Sequence, residues 1–298
     1  MKHFCIIVNQ GKNEGMDQAE RILDAIIARG GTAQILPARA ERTQLGEGFT
    51  DVNSILPEAE AVLVLGGDGT VIQAARELAE HPLPIMGVNL GTLGFLTEIE
   101  LDYMEEALDQ LMQDQYRLEE RVMLSGVVRK NGEIVYEAQA LNDIVITRSG
   151  FSRIVSMEVS VNDRPLTRYR GDGVILSTPT GSTAYNLSAG GPVIMPEAKA
   201  FAITPICAHS WEIRGVVTSA EDRIRVEIQQ SKKSQKEEAI VSFDGNAGIL
   251  LETGDVVEAC QAEQKTRFIK LDDRGVLESL RDKIRNGAGG YDESKETR

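Results

Sequence analysis

The chain has 298 residues, of which 42% are hydrophobic and 26% charged, a composition typical of a globular protein that buries a core. Its formal charge of −14 argues against a generally basic surface, so neither nucleic acid nor an anionic membrane is expected as a partner. Three cysteines without CxxC spacing exclude a disulfide framework, and no apolar run approaches the ~20 residues of a membrane span, so a cytoplasmic protein is expected.

Short apolar runs alternate with helical patterns in the first part of the chain. The predicted elements are strands at 4–8, 61–65 and 84–89 and helices at 16–29, 70–79 and about 103–113. Because strands that alternate with helices favour a parallel sheet flanked by helices, residues 1–118 are predicted to form a Rossmann-like α/β domain.

The second part of the chain is rich in strand patterns and poor in helical ones. Strands are predicted at 123–129, 134–140, 144–147, 154–161, 173–177, 224–228, 239–243 and 256–259. Such a series favours a mostly antiparallel, sandwich-like β domain. This second domain is predicted to span residues 119–272.

The end of the chain changes character again. Apolar residues at 276, 277, 280 and 284 predict an amphipathic helix over residues 273–285 that packs on one of the domains. Residues 286–298 combine glycine with charge and are predicted to be disordered.

The sharpest local signal is the GGDGT run at residues 66–70, between a buried strand and a helix. Ligands bind at this edge of a parallel sheet, and a helix N-terminus favours anions. Glycines let backbone N–H groups approach a phosphate closely, and one carboxylate can meet a hydroxyl or a metal ion. A tight turn with Asp68 as a helix cap is the alternative, and a P-loop is excluded because no Lys-Ser/Thr follows.

A second signal is a loop dense in hydroxyl groups and glycine at residues 177–192, which follows a predicted strand. Hydroxyl and backbone groups at this density can hydrogen-bond a polar, planar ligand, and Tyr185 offers an aromatic face. The alternative is an ordinary loop of a β domain, which composition alone does not exclude.

Together these motifs closely resemble the NAD kinase family. The resemblance rests on GGDGT at 66–70, GVNLGTLGFLTEIE at 87–100, LNDIVI at 141–146, DGVILSTPTGSTAYNLSAGGPVI at 172–194 and FDGN at 243–246. GGDG alone is also found in phosphofructokinases and in diacylglycerol and sphingosine kinases, whereas STPTGSTAYNLSAGGP is specific. The resemblance implies an NAD kinase/diacylglycerol kinase-like fold with the active site between two domains, and transfer of the ATP γ-phosphate to the adenosine 2′-hydroxyl of NAD.

The resemblance also assigns roles to residues of the glycine-rich turn. Asp68 matches the family's catalytic base, which takes or orients the proton of the attacking 2′-hydroxyl and also contacts NAD. Residues that match the donor-phosphate turn are Gly66, Gly67, Gly69 and Thr70, with Gly69 also near NAD. A divalent cation, Mg²⁺, is implied with the ATP phosphates, and no protein side chain is assigned as its ligand.

Further residues match the family's dinucleotide contacts. Asn142 and Asp143 match an Asn-Glu pair that holds the adenine and ribose, with Asp here instead of Glu. Asp172 matches the acid at the nicotinamide end, and Phe95 an apolar wall of the pocket. The remaining candidates are Arg153, Arg170, Thr183, Ala184, Tyr185, Asn186, Leu187, Ser188 and Asn246, the last in place of a common Gln.

Two other functions stay open at this point. A lipid or sugar kinase shares the GGDG turn, and a protein that senses NAD or NADP without turnover would share the binding loops. Asp68 argues against the sensor, because binding alone needs no base. The resemblance further implies a homodimer or a homotetramer built through the β domain.

Overall fold

The computed structural model describes residues 1–9, 13–38, 50–91, 94–150, 154–209, 215–230, 238–246, 248–272 and 275–281. Over these residues the strands form one mixed sheet of eleven strands and one antiparallel sheet of six. The predicted architecture, an α/β part followed by a sandwich-like β part, is confirmed. Arg153 and residues 286–298 lie outside the described residues, so the predictions made for them stay predictions.

The first part of the chain builds a parallel sheet between helices. Strands β3 and β4 are wholly apolar or small and fully buried, as expected where helices cover both faces of a sheet. Helices α1 and α3 cover one face and helix α2 the other. The elements are β1 His3–Asn9, α1 Asn13–Ala28, β2 Thr32–Ala38, β3 Ala61–Leu65, α2 Asp68–Glu77, β4 Ile85–Asn89, β5 Thr97–Glu100 and α3 Met104–Met112.

The second part forms a sandwich whose two layers share one apolar core. The strands that continue the eleven-stranded sheet are β6 Arg117–Lys130, β7 Glu133–Ala140, β9 Val155–Val161, β10 Arg164–Gly171, β14 Ile224–Gln229 and β17 Val256–Lys270. The facing sheet has the order β13-β12-β11-β8-β15-β16, with β8 Asp143–Arg148, β11 Gly173–Ser177, β12 Ala200–Ile206, β13 Val216–Ser219, β15 Glu238–Phe243 and β16 Ile249–Glu252. A short helix, α4 Tyr185–Ser188, lies in the connection from β11 to β12.

Strand β17 joins the two parts of the molecule. Its first half pairs with β14, whereas Phe268 near its end pairs with Ile85 of the parallel sheet. Phe268 and Ile269 are therefore buried in the cores of the first part, although they fall at the end of the predicted second domain. The long partner strand β6 runs beside β17 through the same region.

The C-terminal helix is present at residues 276–281, but its apolar face differs from the expected one. Val276 and Leu280 are half-buried, whereas Leu277 is 60% exposed. The prediction that Leu277 packs on a domain is therefore wrong, because the helix presents that position to solvent.

Candidate active site

The GGDGT run forms the turn from β3 into α2. The Gly66 N–H donates to the carbonyl of Val88 in the neighbouring strand at 3.0 Å. The Gly67 carbonyl accepts from the N–H groups of Thr70 and Val71, so α2 begins at Asp68 and not at Thr70 as predicted. Its first backbone N–H groups lie at the carboxyl edge of the parallel sheet, which favours an anion there.

The Asp68 carboxylate does not cap its own helix. Its Oδ2 accepts from the Phe95 N–H at 2.9 Å and its Oδ1 from the Leu96 N–H at 3.0 Å. Gly94 lies directly against the carboxylate, where a Cβ would overlap Oδ1. The loop after β4 therefore fixes the orientation of Asp68, and the capping alternative considered from the sequence is wrong.

Asn142 and Asp143 lie where β8 begins, packed beneath the hydroxyl-rich loop. The Thr178 N–H donates to the Asn142 carbonyl at 2.9 Å, and the Thr178 hydroxyl donates to the Leu141 carbonyl at 2.6 Å. At Gly181 a Cβ would overlap the Asn142 carbonyl, so only glycine allows this approach. The two signals read separately from the sequence are thus one packed unit.

Asn142 keeps one polar atom without a partner. Its residue is only 9% exposed, and its buried Oδ1 accepts no hydrogen bond within the part of the chain that the structure describes. Such an orphaned acceptor is rare in a folded protein. A ligand that donates an N–H or O–H group at this point would satisfy it.

Asp244, to which the sequence assigned no role, holds this segment from the other side. Its carboxylate accepts from the N–H groups of Leu141 at 2.8 Å, Asn142 at 2.8 Å and Asp143 at 3.0 Å. Arg76 of α2 lies with its Nε 3.8 Å from Asp244 Oδ2. The FDGN motif was a visible signal, but its carboxylate partners are about a hundred positions away in sequence.

The Asp143 carboxyl is 5% exposed and faces Asp244. Burial raises the pKa of Asp143 to about 7, and the negative charge of Asp244 adds to this effect. Burial also raises the pKa of Asp244, against which its three N–H donors and Arg76 act. Charge on Asp143 is therefore held at a cost to folding, as is common where a side chain serves a ligand.

This cost predicts a pH-dependent gain in stability for Asp143→Asn. The carboxyl ionises at its ordinary value of 3.8 in the unfolded chain and at about 7 in the folded one. Between these values the folded state binds more protons, so wild-type stability falls as the pH rises. The gain in Tm of the variant, measured without ligand, should grow from about pH 4 to about pH 7 and then level off. A gain that is equal at both ends would contradict the burial of this charge.

The loop after β11 divides its predicted contact residues into two groups. Tyr185, Leu187 and Ser188 are exposed, and Thr183 and Ala184 are half-buried. Asn186 is fully buried, donates to the carbonyls of Ser182 and Pro192, and accepts from the Thr204 hydroxyl. Its amide is thus used inside the protein, and it supports the loop where the resemblance implied a ligand contact.

The other candidates lie around this unit. Phe95 is half-buried and donates its backbone N–H to Asp68. Asp172 accepts from the Nε of Arg148 at 2.8 Å, and Arg170, two residues before it, is exposed on β10. Asn246 follows Asp244 in the same turn, where its N–H donates to the Phe243 carbonyl.

Metal ligation and membrane insertion were examined over the same residues. No three His, Cys, Asp or Glu side chains of the described segments gather in a way that could hold a metal ion. None of the helices in those segments is long and apolar enough to cross a membrane.

Comparison with known proteins gives one result throughout. The family models for the ATP-NAD kinase N-terminal domain and C-terminal domain match residues 4–116 and 141–271. The NAD kinase of Lachnoclostridium phytofermentans is 43% identical over 286 residues, which cover 95% of this chain and 99% of the relative. That of Geobacter sp. strain M21 is 40% identical over 290 residues, covering 96% and 99%.

Two solved structures share the fold. Yeast NADH kinase complexed with NADH superposes with a TM-score of 0.82 at 20% identity, covering 100% of this chain and 90% of that one. An NAD kinase from Archaeoglobus fulgidus in complex with ATP superposes with a TM-score of 0.73 at 23% identity, covering 95% and 98%.

Proposed function

The chain belongs to the NAD kinase family, and on this premise we propose that it transfers the γ-phosphate of ATP to the adenosine 2′-hydroxyl of NAD, which gives NADP. The observation that carries the proposal is the Asp68 carboxylate, held by the N–H groups of Phe95 and Leu96 at the first turn of α2. Relatives named NAD kinase that match this chain over nearly their whole length support it.

The chemical step needs a group that accepts a proton from the acceptor hydroxyl. As the 2′-oxygen forms its bond to the γ-phosphorus, its proton passes to the Asp68 carboxylate, and the bond from phosphorus to the bridging oxygen breaks with its electron pair left on ADP. In a loose phosphoryl-transfer transition state, orientation of the hydroxyl contributes as much as removal of the proton. The two backbone hydrogen bonds to Asp68 provide this orientation.

The donor phosphates are assigned to the turn before and into α2. Added Cβ atoms at Gly67 and Gly69 would meet open space, so backbone N–H groups there are accessible to a phosphate. Thr70 follows in the first turn of the helix. The one carboxylate in this turn fits a Mg²⁺ ion that arrives with ATP, because Mg²⁺ takes one or two carboxylates plus substrate phosphates. When bound, the cation would neutralise charge on the phosphates.

The acceptor is assigned to the unit formed by Asn142, Asp143 and the loop after β11. The unpartnered Asn142 Oδ1 suits the amino group of adenine, and Asp143 suits a ribose hydroxyl. Exposed Tyr185 offers a face for the planar rings. Asp172 is assigned to the nicotinamide end, with Phe95, Arg170 and Asn246 at the edges.

An acceptor panel tests the proposed function. The purified protein is given ATP and Mg²⁺ with NAD, with a diacylglycerol dispersion, or with a hexose phosphate, and ADP release and product identity are measured. NADP from NAD alone is the expected result. Transfer to the lipid or the sugar would favour the alternative kinase, and binding of NAD without ADP release would favour the sensor.

Assembly and compartment complete the proposal. Antiparallel sheets that face solvent can associate, so a homodimer or a homotetramer through the β domain is proposed, to be measured by light scattering. Among the described residues, Cys5, Cys207 and Cys260 are free thiols, which fits the reducing cytoplasm.

A further inference from the structure

We propose that Asp244 is a positioning residue for the phosphoryl transfer: with Arg76, it fixes the backbone of residues 141–143 and ties the NAD-binding pair to the helix that carries Asp68. This inference rests on the proposed function. It concerns a residue that touches neither substrate and acts through Asn142 and Asp143.

The first argument is the number of hydrogen bonds that converge on one carboxylate. Three consecutive N–H groups, those of Leu141, Asn142 and Asp143, point at Asp244, whose side chain is 1% exposed. Three successive N–H groups that turn inward form an anion-binding concavity. Without the carboxylate they would be buried donors without partners, so the segment would have to turn and rehydrate.

The second argument is the connection to the chemistry. Arg76 lies on α2 eight residues after Asp68, a separation of ~12 Å along the helix axis. Its guanidinium reaches Asp244 Oδ2 at 3.8 Å and the Phe243 carbonyl at 3.5 Å. One helix thus presents the proposed base at its beginning and holds the acceptor site near its end.

The third argument is that Asp244 controls a side chain that still lacks a partner. Asn142 is held from above by Thr178 and Gly181 and from below by Asp244, and its Oδ1 remains free for a ligand. A backbone gripped from both sides sets the direction of this oxygen. A small rotation at Asn142 would move the adenosine ribose away from Asp68, and misplacement by ~1 Å is enough to reduce turnover by ~10²-fold.

Variants of both partners test the inference. Asp244→Asn keeps the shape but turns an NH₂ group toward at least one of the three donors, Arg76→Gln removes the ion pair, and Arg76→Lys keeps its charge. Asp255→Asn is the matched control, because Asp255 is also a buried turn aspartate that accepts a backbone N–H, at 2.9 Å, and has a lysine Nζ 3.9 Å away. Kd for NAD by calorimetry, KM and kcat for NAD and for ATP, and Tm are measured for each.

The expected result is a Kd and a KM for NAD raised by about 10-fold or more in Asp244→Asn, with the KM for ATP within about 2-fold and a lower kcat. Arg76→Gln should change NAD binding in the same direction, and Arg76→Lys should restore it in part. Asp255→Asn should lower Tm without changing Kd for NAD.

Two results would overturn the inference: an unchanged Kd for NAD in both Asp244→Asn and Arg76→Gln, or an equal loss in Asp255→Asn. If Asp244→Asn does not fold, the Arg76 pair decides. Because Kd for NAD is measured without turnover, a wild type that binds NAD but makes no NADP would contradict the proposed function and leave this inference intact.

Discussion

Asp68→Asn is expected to lower kcat by roughly 10²–10⁴-fold while NAD and ATP still bind. The substitution keeps the shape of the side chain but removes the proton acceptor. It also sets an NH₂ group against one of the two N–H donors, those of Phe95 and Leu96, that orient the carboxylate in the wild type. Steady-state kinetics and calorimetry with each nucleotide measure the two effects separately.

Asp102→Asn is the control for this change, because Asp102 is an exposed acid in the first turn of the helical segment Leu101–Tyr103. It should leave kcat within about 2-fold, since an isolated surface substitution has small effects. A kcat of Asp68→Asn above about a tenth of the wild-type value would remove Asp68 from the proton transfer.

Gly94→Ala should have the second-largest effect, about 10²-fold on kcat, without touching any charged group. The added Cβ would overlap the Asp68 carboxylate, which is confined by its hydrogen bonds to Phe95 and Leu96. The carboxylate must therefore rotate away from the position in which it meets the 2′-hydroxyl. The measurement is kcat with both substrates saturating, alongside Tm.

Gly91→Ala is the matched control in the same connection, because a Cβ there would meet nothing within 4 Å. It should keep wild-type kinetics. If Gly94→Ala were as active as Gly91→Ala, the orientation of Asp68 by this loop would not matter for turnover.

The parts of the fold that sequence patterns predicted are those with strong local signals. Strands β3 and β4 are continuous apolar runs, and the glycine-rich turn lies between a strand and a helix, so both the sheet and its ligand-binding edge were readable. The strands at 32–38 and 164–171 were missed. Each is the edge strand of its sheet end and carries a proline, Pro37 and Pro165, a residue that edge strands tolerate and interior strands do not.

The candidate site was predictable by motif but not by contact. The motifs marked Asp68, Asn142 and Asp143, but the use of each side chain depends on residues far away in sequence. Asn186 lies inside the most specific motif, yet its amide is used by the protein itself. Asp244 carried only a short turn signal, because the three N–H groups that it binds belong to another strand connection. Its role needed the tertiary structure.

The most direct test of the central claim is to follow the label from [γ-³²P]ATP in the presence of NAD, Mg²⁺ and either the wild-type protein or Asp68→Asn. The wild type should place the label on the adenosine 2′-oxygen, one phosphate for each ADP released, and the variant should do so at least roughly 10²-fold more slowly. Label found on water or on another hydroxyl, or equal rates for the two proteins, would contradict the assignment of Asp68 as the base for transfer to NAD.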